Sequence, residues 1–160
     1  MEDEGGCIMG GYGANSGRVK SKTYYDTGGH KVKDKNAIEV GEYFIDKGDY
    51  VAFLQEKPSS KRADMSINGI HTEVKGMESL KTNKVANNIK EAFLQVSADN
   101  SRYSTNSNRD GQVVILSKYK DINTAYKVVS GGYRTAKAKG YVKGNVMLMH
   151  KGKMYFIGGK

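Results

Sequence analysis

The chain has 160 residues and a formal net charge of +9, with 26 Lys and Arg against 17 Asp and Glu. That length favours a single domain with a hydrophobic core of its own. Cys7 is the only cysteine, which excludes an intramolecular disulfide and a zinc site built on thiolates. No apolar run approaches the ~18 residues of a membrane span, and the acidic, polar start of the chain predicts no signal peptide.

The excess of positive charge bears on the kind of partner. A basic protein is attracted to polyanions, mainly because binding releases counterions from the phosphate backbone. The charge therefore favours a nucleic-acid partner. A soluble basic surface without any special partner is the simpler alternative.

The predicted elements begin after a glycine-rich start. Residues 1–35 hold eight of the 20 glycines and few large apolar residues, which is typical of a linker or flexible arm. We predict a folded domain over residues 36–160. Apolar spacing and turn residues within it predict, in chain order, a helix from Ala37 to Gly48, a strand 50–54, a hairpin 64–74, a helix 84–96, a polar loop 99–111, a strand 112–117, a helix 121–130 capped by Gly131-Gly132, and a C-terminal hairpin 146–157. This order predicts an α/β fold with a mixed central sheet flanked by helices.

The most informative stretch is the first hairpin. Asn68-Gly69 is a strong hairpin-turn signal between two short apolar segments. Glu73 and Lys75 are two residues apart in a strand and therefore share a face, while Asp64 lies on the preceding arm. Two carboxylates placed together can hold a hard divalent metal, which lowers the pKa of bound water, and the lysine can stabilise charge on a phosphate. The alternative is a surface strand whose Glu and Lys serve solubility.

Several short stretches resemble the PD-(D/E)XK nuclease superfamily. Over residues 36–157 the chain is similar to the C-terminal toxin domains of contact-dependent growth-inhibition and related polymorphic toxins. The matching stretches are the helix ending Phe44-Ile-Asp-Lys-Gly48, the strand Tyr50–Leu54, Lys61-Arg-Ala-Asp64, Ile67-Asn-Gly69, Glu73-Val-Lys75-Gly76 and a helix carrying Gln95. The resemblance implies a restriction-endonuclease-like core and cleavage of tRNA, or in some cases DNA, with a divalent metal.

The resemblance also implies roles for individual residues. Asp64 and Glu73 match the metal-binding carboxylates, and Lys75 matches the catalytic lysine. Ala63 stands where a proline often precedes the aspartate. A glutamate from the first helix often completes such sites. Glu42 is favoured over Glu39 because it lies at the edge of the apolar face, and the equal alternative is that neither glutamate contributes. Gln95 matches a glutamine often carried on the helix after the lysine strand, although a plain helix-edge amide is an equal alternative.

Basic residues around the proposed site are candidates for phosphate contacts. His71 shares a face with Glu73 and Lys75 by alternation, so it is a candidate for touching phosphate or moving a proton. A partly exposed strand histidine without a role is the alternative. The basic candidates are Lys57, Lys61, Arg62, Lys81 and Lys84, with Arg102, Arg109 and Arg134 as a wider surface.

Three functions follow as expectations. The first is a metal-dependent endonuclease toxin acting on tRNA or DNA, with magnesium as the expected metal and manganese or zinc as alternatives. The second is a metal-independent ribonuclease of the barnase-like or colicin-like kind, and the third is a basic nucleic-acid-binding module without catalysis. The toxin resemblance further implies delivery from a producing cell into the cytoplasm of a target bacterium, and a cognate acidic immunity protein that would match the basic surface.

Overall fold

In a computed structural model, the chain is described over residues 7–9, 22–56, 62–78, 81–103 and 111–160, with the side chains of 7–9 and 98–103 left out. These residues form eight strands and three helices. In chain order they are β1 (Cys7–Met9), β2 (Thr23–Tyr25), α1 (Lys35–Asp46), β3 (Val51–Phe53), β4 (Met65–Ile67), β5 (Ile70–Met77), α2 (Thr82–Tyr103), β6 (Gln112–Ser117), α3 (Ile122–Ala138), β7 (Asn145–His150) and β8 (Lys153–Gly158).

Six of the strands form one mixed sheet in the order β3-β4-β5-β6-β7-β8. β4 runs antiparallel to both of its neighbours, β3 and β5. β5, β6 and β7 run parallel to one another, and β8 returns antiparallel to β7. Each parallel step is made by a helix, because parallel neighbours need a long crossover. The predicted α/β class and the predicted order of helices and strands are confirmed.

The helices lie on both faces of this sheet. Asp34 caps the N-terminus of α1 by accepting hydrogen bonds from the backbone of Asn36 and Ala37, and the apolar side of the helix packs on a core cluster that contains Val74 and Leu116. The helices α2 and α3 share a second cluster with Val113 and Ile115. Since these strand residues alternate in sequence, the two clusters lie on opposite faces. No helix among the described residues is long and apolar enough to cross a membrane.

The Asn68-Gly69 turn has the predicted hairpin geometry. Both residues have positive φ, 50° and 85°, as a type I′ turn requires. The Asn68 side chain also accepts a hydrogen bond from the Tyr50 backbone N–H (3.0 Å) and donates one to the Asp49 carboxylate (3.0 Å). The turn therefore fixes the register of β4 and β5 and ties both to the start of β3.

Two predicted boundaries were wrong. The second helix extends to Tyr103, into the predicted polar loop, and residues 104–110 of that loop lie outside the described residues. Gly131-Gly132 does not cap α3, which continues to Ala138. A Cβ at Gly132 would lie 2.5 Å from Val85 Cγ1 and 3.0 Å from the Ala86 nitrogen. This glycine is therefore used for close approach of α3 to α2 and not for helix termination.

Part of the predicted N-terminal arm packs on the sheet. Tyr24 is 1% exposed, and its ring lies 5.4 Å from that of Phe53. The backbone N–H of Thr27 donates to the Phe53 carbonyl (2.9 Å), so this segment covers the free edge of β3. The folded part therefore begins before residue 36, while residues 1–6 and 10–21 lie outside the described residues.

Candidate active site

Glu73 and Lys75 project from β5 toward α2. Val74, between them, packs in the opposite core cluster with α1, as strand alternation requires. Glu73 is only 4% exposed. The Lys75 ammonium lies 3.4 Å from Glu73 Oε2 and donates to Gln95 Oε1 on α2 at 3.1 Å. The lysine is therefore held between a carboxylate of its own strand and an amide of the helix above it.

Asp64 joins this group through the register of the hairpin. Met65 pairs with Thr72 in the antiparallel β4–β5 ladder, and one further step along the chain places Asp64 opposite Glu73. An Asp64 carboxylate oxygen accepts a hydrogen bond from the Val74 backbone N–H (2.8 Å), and its carbonyl accepts one from Leu54 (3.0 Å). The side chain and the backbone carbonyl of Asp64 are therefore both held by hydrogen bonds to neighbouring parts of the chain.

Burial makes both carboxyls unusually basic. Burial, followed by the charge of Asp64, raises the pKa of Glu73 to about 9, although the Lys75 ammonium acts in the opposite direction. Burial also raises the pKa of Asp64 to about 6, against the lowering effect of the Val74 hydrogen bond. The buried Glu73 Oε1 has no hydrogen-bond partner among the described residues. Two carboxyls in this state favour a proton or a cation between them.

The donor set fits a hard divalent metal. Carboxylate oxygens are the ligands that such ions take, and Mg²⁺ commonly binds through one or two carboxylates while keeping several waters. Within the described residues, no group of three or more His, Cys, Asp or Glu is arranged to hold a metal ion. Asp64 and Glu73 could supply two carboxylate ligands, and the buried Glu73 Oε1, which has no hydrogen-bond partner among the described residues, is suited to that role.

Gln95 connects the lysine to the loop before β4. Its amide oxygen accepts from Lys75, and its amide nitrogen donates to the Arg62 carbonyl at 3.5 Å. The structure thus brings together Asp64, Glu73, Lys75 and Gln95, four of the five residues proposed from the sequence as catalytic. Their catalytic roles stay predictions.

Glu42 is not brought to this group. Its carboxylate accepts a hydrogen bond from the Tyr24 hydroxyl (3.0 Å), on a helix that packs on the face opposite to Glu73. Glu39 pairs instead with Lys118, at 2.9 Å. The helical wheel placed Glu42 correctly at the edge of the apolar face, but it could not show that Tyr24 occupies the space beyond that edge.

The predicted phosphate-binding residues divide into separate groups. His71 lies on the same strand face as Glu73, and Arg62 adjoins Gln95 through its carbonyl. Lys81 and Lys84 stand exposed at the first turn of α2, whereas Gln95 lies 11 positions later, about 16 Å along the helix axis. The structure therefore separates these two lysines from the carboxyls. Lys57, Lys61 and Arg109, with the Arg102 side chain, lie outside the described residues.

Sequence reasoning missed a cleft next to Asp64. The cleft has a volume of about 220 Å³, and it is lined by four carboxylates and two lysines together with apolar residues. The charged lining consists of Asp26, Asp34, Glu56, Asp64, Lys31 and Lys33. The charges of Asp34 and Glu56 both raise the pKa of Asp64. Asp34 could have been noticed from its position before a helical apolar pattern, where aspartate is a favoured N-cap.

Comparison of the chain with protein-family models, with curated proteins and with solved structures found no match.

Proposed function

We propose that this protein is a metal-dependent endonuclease that hydrolyses phosphodiester bonds of RNA, with tRNA as the first candidate substrate and DNA as the alternative. The observation that carries the proposal is the buried Glu73 beside the half-buried Asp64, with Lys75 3.4 Å from Glu73 Oε2. A solubility pair would leave its carboxylate in water, whereas Glu73 is 4% exposed. Burial of an ionisable pair is costly and is concentrated at functional sites.

Each residue has a distinct task in this proposal. Asp64 and Glu73 would hold a divalent metal, and that metal would supply a nucleophilic water and neutralise phosphate charge. Lys75 would place its ammonium beside the phosphate, where positive charge stabilises the transition state. Gln95 orients Lys75 through the hydrogen bond to its amide oxygen (3.1 Å), because a lysine with four rotatable bonds needs a fixed acceptor to hold one position.

The biological setting is proposed on the resemblance to polymorphic toxin domains. A nuclease of this kind would act in the cytoplasm of a target bacterium after delivery by a larger protein. A producing cell would then need an immunity protein, and an acidic surface on that protein would match the net charge of +9.

The test is cleavage of total tRNA and of plasmid DNA by the purified protein, with magnesium and with EDTA. We expect cleavage only with magnesium, and a loss of about 10²–10³-fold in kcat for Lys75→Ala. Lys118→Ala is the matched control, because Lys118 also pairs with a glutamate (2.9 Å) but is exposed on another part of the sheet. It should keep wild-type activity.

Other outcomes would redirect or remove the proposal. Cleavage that survives EDTA and is lost in His71→Ala would favour the metal-independent ribonuclease, since His71 shares the strand face with Glu73 and Lys75. Cleavage that is equal in Lys75→Ala and Lys118→Ala would move the active site elsewhere. An absence of cleavage under every condition would leave a nucleic-acid-binding module.

A further inference from the structure

The positive charge of the chain is concentrated in its last quarter. Residues 122–160 contain eight Lys and Arg and no Asp or Glu, and all eight are exposed. This segment forms α3, β7 and β8. It therefore accounts for most of the net charge of +9, and of the basic residues suggested from the sequence it contains Arg134.

On α3 the basic side chains point away from the core. The buried stripe of the helix consists of Ala125, Val129, Gly132 and Ala136. Lys127 and Arg134 lie on the opposite side, seven residues and about 10 Å apart, in one line along the axis. None of the ion pairs among the described residues involves either of them. Their charge is therefore available to a partner.

Tyrosines lie among these cations and continue onto β8. The rings of Tyr126 and Tyr155 contact each other edge to face, with centroids 6.4 Å apart, and Tyr126 is 41% exposed. Lys137 donates to the Tyr133 hydroxyl (3.2 Å), and Lys153 shares the face of Tyr155 by strand alternation. We call this the α3–β8 surface; its members are Tyr126, Lys127, Arg134, Lys137, Lys153 and Tyr155.

This surface lies on the same side of the sheet as the carboxyls. The helix α3 packs on α2 in the cluster with Val113 and Ile115, and α2 carries Gln95, which contacts Lys75. β8 is three strands from β5, a distance of about 14 Å across the sheet. The α3–β8 surface and the carboxyl pair therefore lie on one side of the sheet, with α2 between them.

We propose that the α3–β8 surface binds single-stranded or looped nucleic acid, with the cations on its phosphates and Tyr126 under a base. The proposal rests on the proposed nuclease function, for which it supplies the substrate-docking surface. Alternating cations and exposed aromatic rings suit single-stranded nucleic acid, because cations neutralise phosphates and aromatic rings stack on bases regardless of sequence.

The test measures binding and not cleavage, so that it does not depend on the catalytic proposal. Affinity for a fluorescent 20-nucleotide single-stranded RNA is measured against salt in EDTA, in wild type and in Lys75→Ala, with gels confirming that the RNA stays intact. Lys127→Ala/Arg134→Ala is compared with Lys35→Ala/Lys47→Ala, which removes equal charge from exposed positions at the start and just after the end of α1. A third variant is Tyr126→Ala, and poly-L-glutamate serves as a competing polyanion.

We expect the α3 double variant to bind the RNA about ten-fold more weakly at low salt and to lower the steepness of the log–log salt dependence by about 1.4, since each phosphate contact on a single strand contributes about 0.7. The α1 double variant should change neither. Tyr126→Ala should weaken RNA binding about five-fold or more and leave poly-L-glutamate binding unchanged.

Equal losses in both double variants, or no RNA binding in any protein, would overturn the proposal. Poly-L-glutamate that binds as tightly as RNA, with Tyr126→Ala neutral, would assign the surface to an acidic protein and also overturn it. Metal-dependent cleavage with an unaffected salt dependence would keep the nuclease function and reject this surface. The expected binding without any cleavage would reject the nuclease function instead.

Discussion

The two ends of the sheet carry opposite charge. Residues 22–56, which form α1, β3 and the segment along the β3 edge, contain seven Asp and Glu against five Lys and Arg. Residues 122–160, at the β8 end, contain eight Lys and Arg and no acid. The net charge of +9 is therefore unevenly distributed, with an acidic end and a strongly basic end. The carboxyl pair lies between these two ends.

The carboxyl pair and the basic end differ in how far their ionisable groups are exposed to water. Between the two ends, Glu73 is buried and Asp64 is half-buried, and the pKa values of Asp64 and Glu73 are raised to about 6 and about 9. At the basic end every Lys and Arg is exposed. Burial of an ionisable group costs stability, and such groups are concentrated at functional sites, whereas exposed charge attracts a partner at long range. We therefore propose chemistry for the carboxyl pair and docking for the basic end.

Glu73→Gln should have the largest effect on activity. The substitution keeps the shape of the side chain but removes its charge, so we expect the metal-dependent cleavage rate to fall by about 10²–10³-fold. The matched control is Glu39→Gln, because Glu39 forms only an exposed pair with Lys118. A Glu73→Gln enzyme with unchanged kcat would remove the buried pair from the mechanism.

Gly132→Val should have the largest effect on stability. A Cβ there would lie 2.5 Å from Val85 Cγ1, so α3 would be forced away from α2, at a cost of about 3 kcal/mol in the free energy of unfolding. Gly131→Ala is the control, because its Cβ would lie 3.2 Å from the end of the Thr82 side chain and alanine favours helix. Chemical denaturation of both variants measures the difference. Equal stability would mean that the α2–α3 contact is not close.

The metal-free protein should lose stability as pH rises. Both carboxyls have folded pKa values above their ordinary values of 3.8 and 4.5, so the folded state binds more protons than the unfolded state between about pH 4 and pH 9. Stability is therefore highest below about pH 4 as far as this pair is concerned, and declines through that window. We expect Glu73→Gln to flatten this dependence and to be more stable by about 2 kcal/mol at pH 8. Urea denaturation in EDTA at pH 5 and pH 8 measures how the free energy of unfolding changes with pH. If this free energy changed with pH equally in the wild type and in Glu73→Gln, the raised pKa of Glu73 would be contradicted.

Magnesium or manganese should restore the stability that the metal-free protein loses as pH rises. A ligand that binds only the folded state stabilises it by about 2.7 kcal/mol at a concentration 100 times its Kd, and the metal must displace the proton of the pair, so the effect should be larger at pH 8 than at pH 5.5. Thermal unfolding with and without metal measures it. Glu73→Gln serves as the comparison, because an equal shift in both proteins would place the metal elsewhere.

Substitutions of Asp34 should have the smallest effect on stability. They also distinguish the helix-capping hydrogen bonds of Asp34 from the effect of its charge on Asp64. Asp34→Ala removes the hydrogen bonds to the backbone of Asn36 and Ala37, which should cost about 1 kcal/mol. Asp34→Asn keeps a capping oxygen and should cost less. Both should lower the pKa of Asp64, since the charge of Asp34 raises it. The pKa of Asp64 measured by NMR titration checks this; if only Asp34→Ala changed it, the cause would be helix displacement and not charge.

Local chemistry made much of the fold predictable. The Asn68-Gly69 turn required a hairpin, and its register with strand alternation brought Asp64, Glu73 and Lys75 together. The apolar run Gln112–Ser117 could only be a buried strand, and all six residues are buried. In each case neighbours in the sequence determined the outcome.

The errors arose where distant parts of the chain meet. Gly131-Gly132 resembled a cap until Val85 was found against it, and Glu42 was expected at the site until Tyr24 was found at its carboxylate. Lys84 is close to the carboxyls in sequence, but it lies in the first turn of α2, about 16 Å along the helix axis from Gln95. The sequence around these residues does not show which distant residues they contact.

The most direct test of the central claim is a crystal of the wild-type protein soaked in manganese, with the ion located by its anomalous scattering. The account predicts a peak within bonding distance, about 2.0–2.2 Å, of both a carboxylate oxygen of Asp64 and Glu73 Oε1. A peak confined to the neighbouring cleft, on Asp26, Asp34 or Glu56 and away from Glu73, would contradict it.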